Sequence, residues 1–250
     1  MSATAQETKK SVTDYLATLA WDGTPRLDRW LVDLAGADDT AYVRSASRAM
    51  LVAAVRRARH PGCRFDQMPV LAGPQGSCKS SALRLLAVED AWFTDLVPLT
   101  ERDMRAVLEA TAGKWIVEAS ELESLLGVKT LAEGDDDDEE ADAGDEDDDE
   151  EDEGPSAAAL KAFLSRTHDE ARMAYARERS RVPRQFVVVG TTAAEPYLSD
   201  SSGNRRIWPI HVAKFDLERL KEIRDQLWAE AATAEAAGES IDLAMQTPSA

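Results

Sequence analysis

The 250-residue sequence predicts a mixed α/β domain with a largely parallel central sheet. Three observations carry that prediction. From residue 66 onward, short apolar runs alternate with segments of helical period, the pattern of strands buried on both faces with helices between them. Residues 1–65 and 214–250 carry helical patterns alone, so an N-terminal helical region and a C-terminal helix with its tail flank a core at 66–213. The acidity is local. The chain has 47 acids against 29 bases and a net charge of −18, yet 17 of the acids fall between Glu133 and Glu153 with no Lys or Arg among them. Outside that run 30 acids face 29 bases, a net charge of −1, which excludes a halophile-like surface.

In order along the chain, Val12, Tyr15, Leu16 and Leu19 lie at helical spacing. Asp22-Gly23 and Pro25 mark a turn. Leu27, Trp30, Leu31 and Leu34 make a second short helix, and residues 39–59 a longer one that starts at the Asp38–Thr40 cap region and stops before Pro61-Gly62. Met68–Ala72 reads as a buried strand leading into a Gly-rich turn and a helix at 79–87. A strand at 91–94, an amphipathic helix at 100–112, a strand at 114–118 and a helical stretch at 120–126 follow. Residues 133–154 are all acid and small side chains. Such a block buries too little apolar surface to fold, so a disordered loop ending at Gly154-Pro155 is expected. Strands at 185–190 and 206–212 and a helix at 216–237 complete the pattern. No internal repeat is visible.

Other functional classes are excluded by composition. Two cysteines, Cys63 and Cys78, make no disulfide framework, and a reducing cytoplasm is the expected compartment. The three histidines share no metal-ligand spacing with them, so no structural zinc is expected. No apolar run approaches the ~20 residues of a membrane span, and the polar N-terminus is followed by no signal-peptide core.

Four segments carry chemistry. The first is the turn Gly73, Pro74, Gln75, Gly76, Ser77, Cys78, Lys79, Ser80, with Ser81 behind it. A phosphate-binding loop needs glycine where backbone N–H groups wrap phosphate oxygens, a lysine for the β- and γ-phosphates, and a Ser or Thr hydroxyl for Mg²⁺. The helix that follows points its N-terminus at the anion. Gly73, Lys79 and Ser80 fit the usual G-x-x-x-x-G-K-[ST] spacing, and Cys78 stands where that spacing has glycine. A nucleotide and Mg²⁺ are therefore the expected ligands, and the resemblance given below makes the nucleotide ATP. The second is Lys114–Glu121. An acid ending a buried strand beside such a loop can hold the metal, and a second can orient an attacking water. Glu118 is the metal-side candidate with Ser80 and Glu121 a candidate base; the spacing does not separate their roles.

The third is the strand end Gly190-Thr191-Thr192 with the downstream Gly203-Asn204-Arg205-Arg206. A hydroxyl beside the γ-phosphate can sense it, and an arginine after a glycine turn suits transition-state charge; a surface pair explains Arg205 and Arg206 as well. The fourth is 166–184, which contains Arg172, Tyr175, Arg177, Arg179, Arg181 and Arg184. Clustered arginines with an aromatic suit contacts to the backbone and bases of a single-stranded nucleic acid; a solvated helix with i,i+4 pairs is the competing reading.

Taken together, the segments Trp21-Asp-Gly-Thr-Pro-Arg-Leu27, Pro61–Asp66, Gly73–Gly76, Trp115–Glu118, Leu160–Arg166, Tyr175–Arg177, Pro183–Val187, Gly190–Thr192 and Gly203–Pro209 resemble, in this order, the virulence-associated protein E family. These are phage and mobile-element P-loop ATPases similar to superfamily 3 helicases. The resemblance implies a RecA/AAA+-like three-layer P-loop NTPase core. It assigns Lys79 and Ser80 to Walker A, Glu118 and Glu121 to Walker B, and Thr192 to the sensor strand, and it makes Arg205 or Arg206 a finger reaching a neighbouring subunit. It further implies a homo-oligomeric ring, often hexameric, that moves single-stranded DNA in the bacterial host cytoplasm. The DNA hairpin of that class falls where the Arg-rich stretch lies. No primase segment precedes the core, so priming is expected from a separate protein. Two positions depart from the family pattern. Cys78 replaces the glycine before the Walker A lysine, and Ala193 stands where the sensor strand usually has Asn, leaving Thr191 or Thr192 as substitutes.

The functional expectation is an ATP-dependent DNA translocase or helicase of a phage or prophage replication module. The alternative is a nucleotide- and DNA-binding assembly protein with weak or no hydrolysis. A nucleotide or small-molecule kinase is disfavoured, since 120–132 has no Arg-rich lid. The acidic run has two readings, a solvated spacer and a competitor that shields the arginines from DNA phosphates.

Overall fold

The computed structural model describes residues 11–96, 104–120, 157–172, 178–193 and 206–243. Glu121, the stretch 121–126, the acidic run, Tyr175, Arg177 and Arg205 lie outside the described residues.

The N-terminal region is helical, as its periodicity predicts. Helix α1 spans Val12–Ala17, α2 Trp30–Ala35 and α3 Ala41–Arg59. Ser11 and Asp14 close a capping box on α1, and the Thr40 hydroxyl accepts from Val43 N at 3.1 Å to start α3. Strand β1 (Met68–Ala72) runs into the Gly-rich turn and α4 (Lys79–Leu86). The strand expected at 91–94 is shorter: Asp90–Trp92 coil into one 3-10 turn, and only Phe93–Thr94 pair, as β2. Then come α5 (Met104–Thr111), β3 (Ile116–Ala119), α6 (Ala157–Leu164), β4 (His168–Ala171), β5 (Ser180–Pro183), β6 (Val187–Thr192), β7 (Ile207–His211) and α7 (Leu217–Ala236).

Five strands form one parallel sheet in the order β2-β3-β6-β1-β7. The central strand β1 therefore pairs with two strands from far along the sequence. Side chains alternate between two packed layers, as strand pleating requires. Leu71, Ile116, Val187, Val189 and Ile210 face the larger core with the N-terminal helices, α4 and α7; Val70, Val117, Val188 and Ile207 face a smaller one with Val107 of α5 and Leu160, Phe163 and Leu164 of α6. The fold is thus mixed α/β on a parallel sheet. Trp30, Trp115 and Trp228 are wholly buried, and each indole N–H finds a carbonyl, on Ser47, Ala54 and Leu86.

For 166–184 the structure departs from the solvated-helix reading and shows a hairpin where the family resemblance placed one, with a helix before it. Helix α6 was not anticipated. Strands β4 and β5 pair antiparallel, His168 against Pro183 and Ala171 against Ser180. The cause is local: Asp169 and Ala171 alternate inward while Glu170 faces out, and Pro183 does not fit a helix interior.

Candidate phosphate site

The turn between β1 and α4 is held on three sides. Gly73 N donates to Thr192 O at 3.2 Å, Val212 N donates to Ala72 O at 2.7 Å, and Phe215 N donates to Ser77 O at 3.0 Å. A Cβ on Gly73 would lie 2.1 Å from Val212 O, so only glycine passes between β6 and the chain leaving β7. Cys78 is the N-cap of α4 with φ +64°, in the left-handed region that favours glycine. The departure from the loop pattern is therefore a cysteine in a glycine conformation. Lys79 Nζ donates to Gly73 O at 2.7 Å, Pro74 O at 3.0 Å and the Ser77 hydroxyl at 2.9 Å. Pro74, Gln75, Gly76, Ser80 and Ser81 are exposed around it.

A carboxylate meets this turn. Glu118 on β3 is 1% exposed. Its Oε1 accepts from the Ser80 hydroxyl at 2.6 Å and from the Thr191 hydroxyl at 2.7 Å. Its Oε2 is buried and finds no partner among the described residues. A buried carboxylate oxygen left unpaired is costly, and it marks a place where water or a cation belongs.

The β6 hydroxyl on Glu118 belongs to Thr191, the neighbour of Thr192, which the resemblance assigned to the sensor strand. Thr191 and Glu118 face the α4 side of the sheet; Thr192 is buried toward the opposite layer by the two-residue period of β6. Thr192 lies on the strand where the resemblance placed it, and of the two threonines it is Thr191 whose hydroxyl reaches Glu118.

The parallel register also places Arg206. It precedes Ile207, which pairs with Met68 at the start of β1, whereas the turn follows Ala72 at its end. A five-residue strand, roughly 16 Å, separates Arg206 from its own chain's phosphate turn. Its Nε instead meets Asp66 Oδ2 at 3.3 Å, and Arg64 Nη2 meets the same oxygen at 3.0 Å. Burial works to raise the Asp66 pKa, but the two guanidiniums outweigh it and hold it below the ordinary carboxylate value.

The six residues expected to contact DNA separate. Arg172, Arg179 and Arg181 are exposed on and beside the β4–β5 hairpin, with Arg181 Nε 3.2 Å from Glu170 across it. Arg184 is interior and is withdrawn as a DNA contact. Its guanidinium makes two bonds of 2.7 Å to Asp169, donates to Phe163 O at 2.6 Å and stacks on the Phe163 ring at 4.1 Å. No exposed surface of Arg184 remains for a phosphate: it is 3% exposed. Asp66 and Asp169 are the residues to which motif reading gave no role, and Thr191 was named there only as an alternative to Thr192. The two-residue strand period was the signal that separates Thr191 from Thr192.

Comparison with known proteins adds a family and a fold. No curated protein matches the chain by sequence. Among solved structures, an apo structure of the NrS-1 C-terminal region superposes with a TM-score of 0.55 at 9% identity, covering 87% of this chain and 48% of that one. A second apo structure of the same region gives 0.47 at 10% identity, covering 92% and 47%. The chain thus spans about half the length of these neighbours; at such identity the first shares the fold alone. Among the described residues no helix is long and apolar enough to cross a membrane. The virulence-associated protein E-like domain matches residues 16–132 and 153–249, breaking only over the acidic run. A match of that extent, over residues that build both the phosphate turn and the sheet beneath it, makes this chain a member of the virulence-associated protein E-like family.

Proposed function

We propose that the protein is an ATP-dependent translocase or helicase on single-stranded DNA, part of a phage or prophage replication module, with a P-loop NTPase core that works at a subunit interface. The observation that carries this reading is the buried Glu118 carboxylate beside Ser80, one oxygen gripped by two hydroxyls and the other unpaired. The turn that precedes α4 offers backbone N–H groups and a helix N-terminus to phosphates. Lys79 brings a charge that exchanges its loop carbonyls for phosphate oxygens.

The donor set fits Mg²⁺, a hard cation that takes oxygen ligands. Ser80 and Glu118 would hold it. When bound, Mg²⁺–ATP supplies the phosphoryl group and neutralises charge that develops on it. Thr191 fixes the rotamer of Glu118, which leaves Oε2 to orient a ligand or water. Arg206, remote from its own turn, is assigned to a neighbouring copy's site, and Arg172, Arg179 and Arg181 to the DNA backbone.

Steady-state ATPase with and without single-stranded DNA tests the proposal. Lys79→Ala is expected to abolish turnover. Glu118→Gln is expected to retain ATP binding and to lose about a hundredfold or more in kcat. Turnover that survives Lys79→Ala overturns the reading. Cys78 in its left-handed conformation and Ala193 in place of a polar sensor favour the second reading, a nucleotide- and DNA-binding assembly protein that hydrolyses weakly. ATP binding without DNA-stimulated turnover would select it.

A further inference from the structure

We propose that Asp66 is a positioning residue for Arg206, and that the loop of residues 60–66 ties this grip to the β4–β5 hairpin. The inference rests on the reading of Arg206 as an arginine acting on a neighbouring copy's site.

Asp66 is 6% exposed, and its Oδ2 accepts from both Arg206 and Arg64. The Arg64 side chain is 74% exposed and that of Arg206 only 23%, so solvent screens the first pair more than the second. A long side chain at the start of β7 is thereby held in one direction by a sheltered carboxylate.

The loop that carries Asp66 also touches the hairpin. Gly62 N donates to Arg184 O at 2.9 Å. A Cβ on Gly62, where φ is +87°, would lie 3.0 Å from the His168 ring and 3.3 Å from Pro183 Cβ. The Gly62 backbone therefore rests against both hairpin strands. Between Gly62 and Asp66, Phe65 O accepts from the buried Arg57 Nη2 at 2.7 Å, and the Phe65 ring meets Trp208 of β7 edge-on at 5.8 Å. The hairpin is itself bolted to α6 through Arg184, which leaves little slack at that end. One short loop thus contacts the hairpin at its start and β7 with Arg206 at its end. Close-packed contacts pass displacement rather than absorb it. Single-stranded DNA that shifts the hairpin then shifts the Asp66 grip and with it the direction of Arg206.

Subunit mixing tests this. Asp66→Asn alone is expected to lower DNA-stimulated kcat about tenfold, part of the roughly thousandfold or more that a finger arginine supplies. KM for ATP should stay within about twofold, since the chain's own turn is untouched. DNA affinity and the melting midpoint are followed in parallel. Mixed with Lys79→Ala subunits, which keep Arg206 but lack a working turn, Asp66→Asn subunits should recover activity above the sum of the two alone. A residue that served only its own chain's folding would show no such rescue. Asp66→Asn combined with Arg206→Ala should be no slower than Arg206→Ala alone.

Wild-type kcat for Asp66→Asn, or additive losses in the double variant, overturns the proposal. So does absence of rescue by Lys79→Ala in a mix that does rescue Arg206→Ala. If Arg206→Ala is not rescued either, or the wild-type chain has no turnover, the reading of Arg206 falls and the role of Asp66 falls with it. Should Asp66→Asn melt below assay temperature, Asp66→Glu, which keeps the charge at a longer reach, takes its place with the same outcomes.

Discussion

Cys78 carries a side chain in a backbone conformation that costs an L-residue roughly 1–2 kcal/mol. Replacing it with glycine removes that strain and the Cβ beside the phosphate seat, at the expense of a more flexible unfolded chain. Cys78→Gly is expected to raise the melting midpoint modestly and to tighten ATP binding or speed turnover; calorimetry and ATPase assays read the two effects. A neutral or harmful outcome would mean that the turn has adapted around the thiol. One strand position away, the two threonines give a sharper contrast. Thr191→Val removes the donor on Glu118 Oε1, whereas Thr192→Val changes a side chain in the other layer. The first should cost about tenfold or more in kcat and the second much less, each with nucleotide affinity largely kept. Equal losses would show that Glu118 orientation is not what Thr191 supplies.

The elements around the site differ in what holds them. The β4–β5 hairpin depends on the Arg184–Asp169 pair, which is bidentate and buried on both sides. Removing one partner leaves a stranded charge, so Arg184→Ala or Asp169→Ala should destabilise the protein by about 3–5 kcal/mol in chemical denaturation. Changes at the exposed Arg179 or Arg181 should leave stability nearly unaltered and weaken DNA binding alone. The hairpin also shows where sequence reading stops. Strands such as Val187–Thr192, apolar and continuous, were legible because burial on both faces is written into composition. The hairpin strands are short and mostly polar, so composition did not mark them; the family resemblance placed a hairpin there, and the Arg184–Asp169 bond, between positions fifteen apart, joins its two ends. The Gly-rich turn was legible because the phosphate-binding pattern it follows dictates its residues. Asp66 was not, because what gives it meaning is Arg206, 140 positions away.

At the scale of the whole molecule, charge governs two expectations. Asp66 is held below its ordinary value by Arg64 and Arg206 against its burial, and Glu239 by Arg48, its main cause. Carboxylates depressed in the fold stabilise it above their unfolded pKa values, about 3.9 and 4.3, and lose that contribution as pH falls through the folded ones. Stability measured by denaturant should thus be flat near neutrality and fall below about pH 4, and Asp66→Asn should shallow that fall. An unchanged acid slope would assign it to other carboxylates. The acidic run gives the second. The family match breaks over 133–152, so the run is an addition to a near-neutral domain. Deleting 135–153 is expected to tighten single-stranded DNA binding at low salt and to steepen its salt dependence. Superimposable binding isotherms for the two proteins would leave the run a spacer.

The clamp on the phosphate turn has a consequence for the order of synthesis. Residues 73–78 leave the ribosome well before the groups that clamp them: Thr192, Val212 and Phe215. Strand β1 likewise waits for β6 and β7 on its two sides. A nascent or truncated chain that stops before residue 212 holds the whole Gly73–Ser80 turn but lacks two of the three backbone bonds that clamp it. The turn therefore takes its clamped shape only once residues 192–215 have joined the fold.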